Sequence, residues 1–476
     1  MNTAAKAISA GGLKRRALSL GAVKAFDHLM QFLLPVVLVR CLDAATFGEY
    51  RLLWLAVGTI VGIATLNMCG SLFFFVPRSE APKKRVYVHH TMLYMAAAGI
   101  LCGLAVSPWN PLLPAPMHAL AQYGWQVPAF VALWMAALLI DYLPTIDERI
   151  RLQGYATISV STLRAAAVAL GAWLSGDLGV ILWLLLAVVL VKGAVLLAYV
   201  KRYHGLGRPW LAPAVFSEQF RHSAPFGLSN ALYALRAQSD QWVAASLFAL
   251  SSFAAFSIAA IVAQVVQLFR HSVMEAFMPT MSRMQAAGDV RGMMEMNSRA
   301  NAMVGTFLYP LLAVAFAFAD EIIAIVYTSA YAEAAPVMRL YVAGMVAMVV
   351  EIGSVVLLLR DGAFVLKVTA AALAVSVAVS FGAALAFGLI GAAAGSVLVI
   401  YLDRAVTLAR VSRRSGIPLA RVQNWGALAY ALSTAAIAGA LAWLAVPETN
   451  AFMQLLAGTA VLFTAYAAMN WKRFRR

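Results

Sequence analysis

Apolar runs near the ~20 residues that a bilayer crossing requires recur along the whole chain. They fall at 18–39, 52–76, 88–106, 127–146, 155–174, 180–200 and 223–248. The rest lie at 253–278, 302–327, 336–359, 364–387, 390–408, 425–446 and 451–470. Short segments rich in Lys, Arg, Gly or Pro separate them. The pattern predicts an all-α polytopic membrane protein with about fourteen transmembrane helices.

Composition agrees with that pattern and removes other classes. Of 476 residues, 63% are hydrophobic and 12% charged, and the mean hydropathy is +0.82, well beyond what a soluble core uses. The net charge of +16 does not imply nucleic acid, because the basic residues sit between apolar runs and not on one domain face. A cytoplasmic N-terminus assigns to the inside Lys83–Arg85, Arg149, Arg151, Lys201, Arg202, Arg208, Arg221, Arg283 and Arg291. Arg299, Arg360, Lys367, Arg410, Arg413, Arg414, Arg421 and the Lys472–Arg476 tail fall on the same side. Only Arg40, Arg51 and Arg339 remain opposite, at span edges, and the loop 107–126 has no Lys or Arg. This alternation predicts an even number of spans with both termini cytoplasmic. The start, with Lys6, Lys14, Arg15 and Arg16 before an apolar run, resembles a signal peptide until Lys24, Asp27 and Pro35 interrupt it. It reads as a retained first span.

Cys41, Cys69 and Cys102 have no paired spacing, so no disulfide framework or metal site is expected. The chain has no phosphate loop, no nucleophile elbow and no His-Glu-x-x-His, so neither a cofactor nor an enzymatic activity is expected.

Weak matches at one period suggest an internal repeat. Phe47 pairs with Phe253, Pro77 with Pro279, Pro128 with Pro336, Gly154 with Gly362 and Gly205 with Gly416, at offsets of about 202 to 211. This divides the chain into two pseudo-symmetric six-helix lobes, 1–210 and 211–415, with two appended helices in 416–476. Repeated lobes in transporters place substrate between them.

The chemistry candidates are polar residues inside spans, where a charge costs about 3 kcal/mol or more. In span 7, Ser229, Tyr233, Arg236 and Asp240 share one helical face, and Arg236 and Asp240 are one turn apart. They either neutralise each other, or Asp240 orients Arg236 toward a substrate phosphate. In span 1, Lys24, Asp27, His28 and Gln31 form a stripe that either pairs locally or lines a cavity. In span 8, Gln264, Gln267, His271 and Glu275 share a face expected to line a cavity, with Arg270 beside it. Asp141 and Glu351 are single acids in apolar runs and candidate coupling groups, with a structural role as the alternative. Arg164 is a candidate cavity cation, whereas Lys192 and Arg404 read as lying near the inner interface.

Several segments carry a family resemblance. They are Leu-Val-Arg-Cys-Leu-Asp-Ala-Ala-Thr-Phe-Gly-Glu-Tyr (38–50), Leu-Arg-Ala-Gln-Ser-Asp-Gln-Trp (235–242) and Phe-Met-Pro-Thr-Met-Ser-Arg-Met-Gln-Ala-Ala-Gly-Asp (277–289). Tyr-Pro-Leu-Leu (309–312) and Asp-Glu-Ile-Ile-Ala-Ile-Val-Tyr (320–327) complete them. Over nearly its whole length the chain resembles the Wzx-type lipid-linked oligosaccharide flippases of the multidrug/oligosaccharidyl-lipid/polysaccharide exporter superfamily. The resemblance implies a V-shaped pair of lobes in the bacterial cytoplasmic membrane. By alternating access they move an undecaprenyl-diphosphate-linked sugar outward for O-antigen, capsule or exopolysaccharide synthesis. Relatives that flip lipid II place basic residues of spans 1, 2 and 8 around the diphosphate. By position these are Lys24, Arg51 and Arg270 here, with Arg236 added from span 7 and Asp27, Asp240 and Glu275 as accompanying acids. The implied partners are the lipid-linked substrate, the bilayer and polysaccharide polymerase or export machinery, and a monomer is expected. The competing reading is a cation-coupled drug or small-molecule antiporter of the same superfamily. A membrane-embedded sugar polymerase or ligase fits poorly, because loop 107–126 offers only His118 to a donor.

Overall fold

In the computed structural model, residues 10–474 are described apart from 360 and 448; side chains of 10–20, 265, 268, 271, 272 and 472–474 lie outside that description. Among the described residues, ten helices are long and apolar enough to cross a membrane. One of them, Gly362–Ser415, is two spans, because Gly388 at φ 65° and ψ −144° reverses the chain between the runs at 364–387 and 390–408. A side chain at that φ would be strained, so glycine is what permits the reversal. Helix Pro213–Leu247 corresponds to the expected span 7 but, with polar residues interspersed among its apolar ones, is not among the ten. Spans 8 and 10 are broken into Leu250–Ala259 with Ile261–Ala286 and Ala334–Met348 with Gly353–Leu358. With these, every expected apolar run has a helical counterpart, and the chain is a multi-pass all-α membrane protein.

The chain divides into two compact units, Met1–Leu235 and Arg236–Arg476. In the first, Leu72, Tyr87, Met95, Leu139 and Val200 form part of one buried cluster. Span 2 breaks at Leu66 and Asn67, both with positive φ, and the first part of Pro213–Leu247 crosses over that break. Gly227 permits the crossing, since a Cβ there would overlap the Leu66 backbone. In the second unit, Val290–Ala317 packs against Trp425–Ala445, and Ala451–Phe474 packs on Trp425–Ala445 in turn. Asn470 Nδ2 donates to Thr434 Oγ1 at 3.2 Å across that last contact.

A polar lock closes one end of the first unit. Asp147, in the connection after Leu143–Ile146, accepts hydrogen bonds from Tyr199 Oη at 2.7 Å and His204 Nε2 at 2.8 Å. Arg149 stacks on Tyr203 3.7 Å from the ring centre. Burial pushes the Asp147 carboxyl up, but the hydrogen bonds from His204 and Tyr199 outweigh it and hold the group below the usual carboxylate range.

Because the folded pKa is depressed, the lock stabilises the protein above the unfolded value of ~3.9 and is lost as pH falls through it. Thermal unfolding of the purified protein should therefore show a loss of stability as pH drops from about 5 toward 3. In Asp147→Asn that acid loss should shrink. An unchanged acid limb in the variant contradicts the assignment.

Candidate functional site

Each unit collects its buried charges where a helix is interrupted. In the first unit Asp141 ends a short 3-10 turn, Leu138–Asp141, that interrupts the fourth span. Its Oδ2 lies 2.6 Å from Lys192 Nζ, whose side chain is only 3% exposed. Lys192 is central in Leu178–Tyr203. It is therefore a buried ion-pair partner and not the interfacial residue expected from the sequence. Its ammonium also sits 4.6 Å from the centre of the Trp134 ring, and the Arg164 guanidinium lies 5.9 Å from the same ring and 5.4 Å from Trp54. A cation over an indole face gains roughly 1 kcal/mol or more when desolvated.

Arg164 is 3.6 Å from Asp27 Oδ1, which also accepts from Ser161 Oγ, while Gln31 Nε2 donates to Asp27 Oδ2 at 2.9 Å. Ser161 and Arg164 are one turn apart on Ile150–Ser175. Asp27 is thus tied to another helix and does not pair with Lys24, which is exposed. Arg51 is half-buried.

In the second unit the fields acting on Arg404 include those of Arg270, Asp403, Glu351 and Arg236. Arg236 Nη1 is 3.8 Å from Asp403 Oδ1, and Arg270 Nη1 is 4.0 Å from Glu351 Oε1. Arg270 and Glu351 are buried. The pairing leaves much of this cluster's hydrogen-bonding capacity unused. Among the described residues, Nε of Arg270, Nε of Arg404 and Oε2 of Glu351 are buried with no hydrogen-bond partner. The hydrogen-bond contact of Arg404 among the described residues is with the Met348 thioether, at 3.5 Å from Nη2. Three guanidinium groups against two carboxylates leave one positive charge in excess within the group, with donor atoms that the protein itself does not engage.

Glu351 is held in place through its backbone. It occupies the break between Ala334–Met348 and Gly353–Leu358, where a helix cannot supply its own hydrogen bonds. Asn297 and Asn301, one turn apart on Val290–Ala317, donate to its carbonyl at 3.0 and 2.8 Å, and Asn301 Oδ1 accepts its N–H at 3.1 Å. Gln423 closes this network by donating to Asn297 Oδ1 at 2.9 Å. Glu351 Oε1 accepts from the Ser354 N–H at 3.0 Å.

Several expectations change. Asp240 does not orient or neutralise Arg236. It is buried and accepts from Tyr341 Oη at 2.7 Å and from the Gln241 N–H at 2.8 Å, while Arg236 turns to Asp403. Beside it a hydroxyl chain links Ser239 to Ser376 at 2.9 Å and Ser376 to Ser396 at 3.4 Å. Asp141 and Glu351 are not isolated acids, because each faces a cation from another helix. On span 8 the buried member is Arg270, whereas Gln264 and Glu275 are exposed and Gln267 is half-buried. The side chain of His271 lies outside the described residues. Asn297 and Asn301 were missed because their partner is the Glu351 backbone, distant in sequence, and Gln423 because it in turn meets their side chains. Among the described residues no group of three or more His, Cys, Asp or Glu is placed to hold a metal ion.

A family model described as polysaccharide biosynthesis protein matches residues 148–336. No curated protein sequence matches the chain. Among solved structures, the fold is similar to a lipid II flippase MurJ in an inward closed conformation, at TM-score 0.73 and 13% identity, covering 96% of this chain and 99% of that one. An inward-facing multidrug resistance MATE transporter of the MOP superfamily aligns at TM-score 0.60 and 10% identity, over 82% of this chain and 96% of that one. The Vibrio cholerae MATE transporter VcmN in its bent form aligns at 0.53 and 15%, over 85% and 98%. The family model agrees with the resemblance over residues 148–336, and the solved structures share the fold.

Asp141 is itself exposed, but removing it leaves the buried Lys192 ammonium uncompensated. Asp141→Ala should therefore destabilise the purified protein by about 3 kcal/mol, and Asp141→Ala with Lys192→Leu should recover most of that loss. Thermal unfolding of the single and double variants measures it. Equal stability of Asp141→Ala and the parent contradicts the pairing.

Proposed function

We propose that this protein is a flippase that moves a polyprenyl-diphosphate-linked oligosaccharide across the bacterial cytoplasmic membrane by alternating access, for the synthesis of a surface polysaccharide. One observation carries the reading: buried Arg270 and half-buried Arg404 keep buried Nε atoms that have no protein partner among the described residues, inside a cluster of net positive charge. A diphosphate supplies the acceptors such atoms lack, and a guanidinium fork matches phosphate oxygens where a point charge does not. The family model and the likeness to a lipid II flippase support the same direction.

Arg236, Arg270 and Arg404 are the proposed phosphate ligands of the second unit, and Glu351 and Asp403 hold them. In the first unit Lys24 and Arg51 are proposed to contribute positive charge, with Asp27 and Gln31 as polar neighbours. Gln267, His271 and Glu275 stay proposed contributors of span 8. Asp240, which has hydroxyl donors and no cation among its hydrogen-bond partners, takes over from Asp141 and Glu351 as the preferred coupling acid. Both termini face the cytoplasm in this reading, and polymerase or export machinery receives the flipped substrate from a monomer.

In vesicles reconstituted with the purified protein and a fluorescent polyprenyl-diphosphate-linked sugar, Arg404→Gln should lower the flipping rate by about 10- to 100-fold, the worth of a hydrogen bond to a charged group. Arg404→Lys should recover part of it. Arg236→Ala with Asp403→Ala should remain folded yet inactive. Full flipping by folded Arg404→Gln contradicts the proposal.

A further inference from the structure

The second unit carries an apolar groove of about 610 Å³, walled by Val290–Ala317, Ala334–Met348 and Trp425–Ala445. Small residues make it. Ala313, Ala317, Ala435, Ala436, Gly439 and Ala440 leave the space between the helices unfilled. Phe316 and Trp443, 49% and 60% exposed, stand as its rims.

The groove's charged lining residue is Arg339, and Tyr309 also lines it. Arg339 donates through Nε to the carbonyl of Phe316 at 3.1 Å, while Nη2 binds Asp320. The first bond satisfies one of the orphan carbonyls at the end of Val290–Ala317. Nη1 keeps its own donors. Trp443 lies near the end of Trp425–Ala445, and a tryptophan ring prefers the headgroup level of a bilayer. From that end the lining runs along Trp425–Ala445 as far as Leu432, roughly 16 Å at 1.5 Å per residue. Half of a ~30 Å hydrocarbon core is about the same depth.

We propose that this groove binds one acyl chain of a bilayer phospholipid, with the headgroup phosphate at Arg339. The length favours this occupant. A helix of a second copy would need a track across the whole core and would bring apolar surface against the Arg339–Asp320 pair. A polyprenyl chain would far exceed one leaflet. The bound chain fills what would otherwise be an empty apolar space between three helices, where missing contacts cost stability. This site is separate from the arginine cluster and does not depend on the transport reading.

Native mass spectrometry of the full-length protein, released from mild detergent with phosphatidylglycerol and phosphatidylethanolamine present, tests the assignment. Ala436→Leu and Ala440→Leu replace exposed residues that line the groove, so the fold should persist while the groove fills. The parent should retain one phospholipid, and retention should fall about tenfold in the filled variants, as expected when the chain's apolar contact is displaced. Arg339→Gln should weaken retention of phosphatidylglycerol most. Equal retention in parent and filled variants overturns the proposal. So does a parent dimer that dissociates in Ala440→Leu, or preferential retention of a polyprenyl phosphate added in competition.

Discussion

A charge inside an apolar helix bundle has to be answered by another charge or by a ligand, because the desolvation penalty of each ion amounts to several kcal/mol. The rest of this structure is arranged around that requirement. Each unit interrupts a helix at an acid, Asp141 in one and Glu351 in the other, and brings a cation to it from a different helix. Breaking the helix exposes backbone groups that need partners of their own. For Glu351 those partners are Asn297 and Asn301, secured by Gln423, so the acid's position depends on three amides from outside its own helix.

The two units use this device differently. In the first, the two cations near the interrupted helix are engaged: Lys192 by Asp141, and Arg164 by Asp27 and two tryptophans. The second is left open, with Arg270 and Arg404 presenting unengaged Nε atoms. The internal repeat expected from the sequence would pair the residues concerned. Asp27 and Asp240, Asp141 and Glu351, and Lys192 and Arg404 recur at offsets of about 210 to 213. Replacing a lysine by an arginine at the last position substitutes a fork with five donors for a point charge.

The spans were legible because runs of apolar residues near bilayer length leave few alternatives. Their interruptions were not. Leu66 and Asn67 break span 2 without a proline, and span 10 breaks at Glu351 within an otherwise apolar run. Helical spacing identified which polar residues share a face but gave no partner for them. Arg236 and Asp240 fit a one-turn pair, yet Arg236 is met by Asp403 and Asp240 by Tyr341, both far along the chain. Lys192 was misjudged for the same reason: a basic residue in a span reads as interfacial until the acid it meets on another helix is known. Arg270 was legible as basic, but its burial beside the exposed Gln264 and Glu275 was not.

The account centres on the second unit's arginines as a phosphate site. The most direct measurement is the equilibrium affinity of the purified protein for a short polyprenyl diphosphate against the matching polyprenol, by calorimetric titration. The diphosphate should bind at least about tenfold more tightly, the equivalent of one charge-assisted hydrogen bond, and Arg270→Gln should erase the difference. Equal affinity for the two ligands in the parent protein would contradict the account.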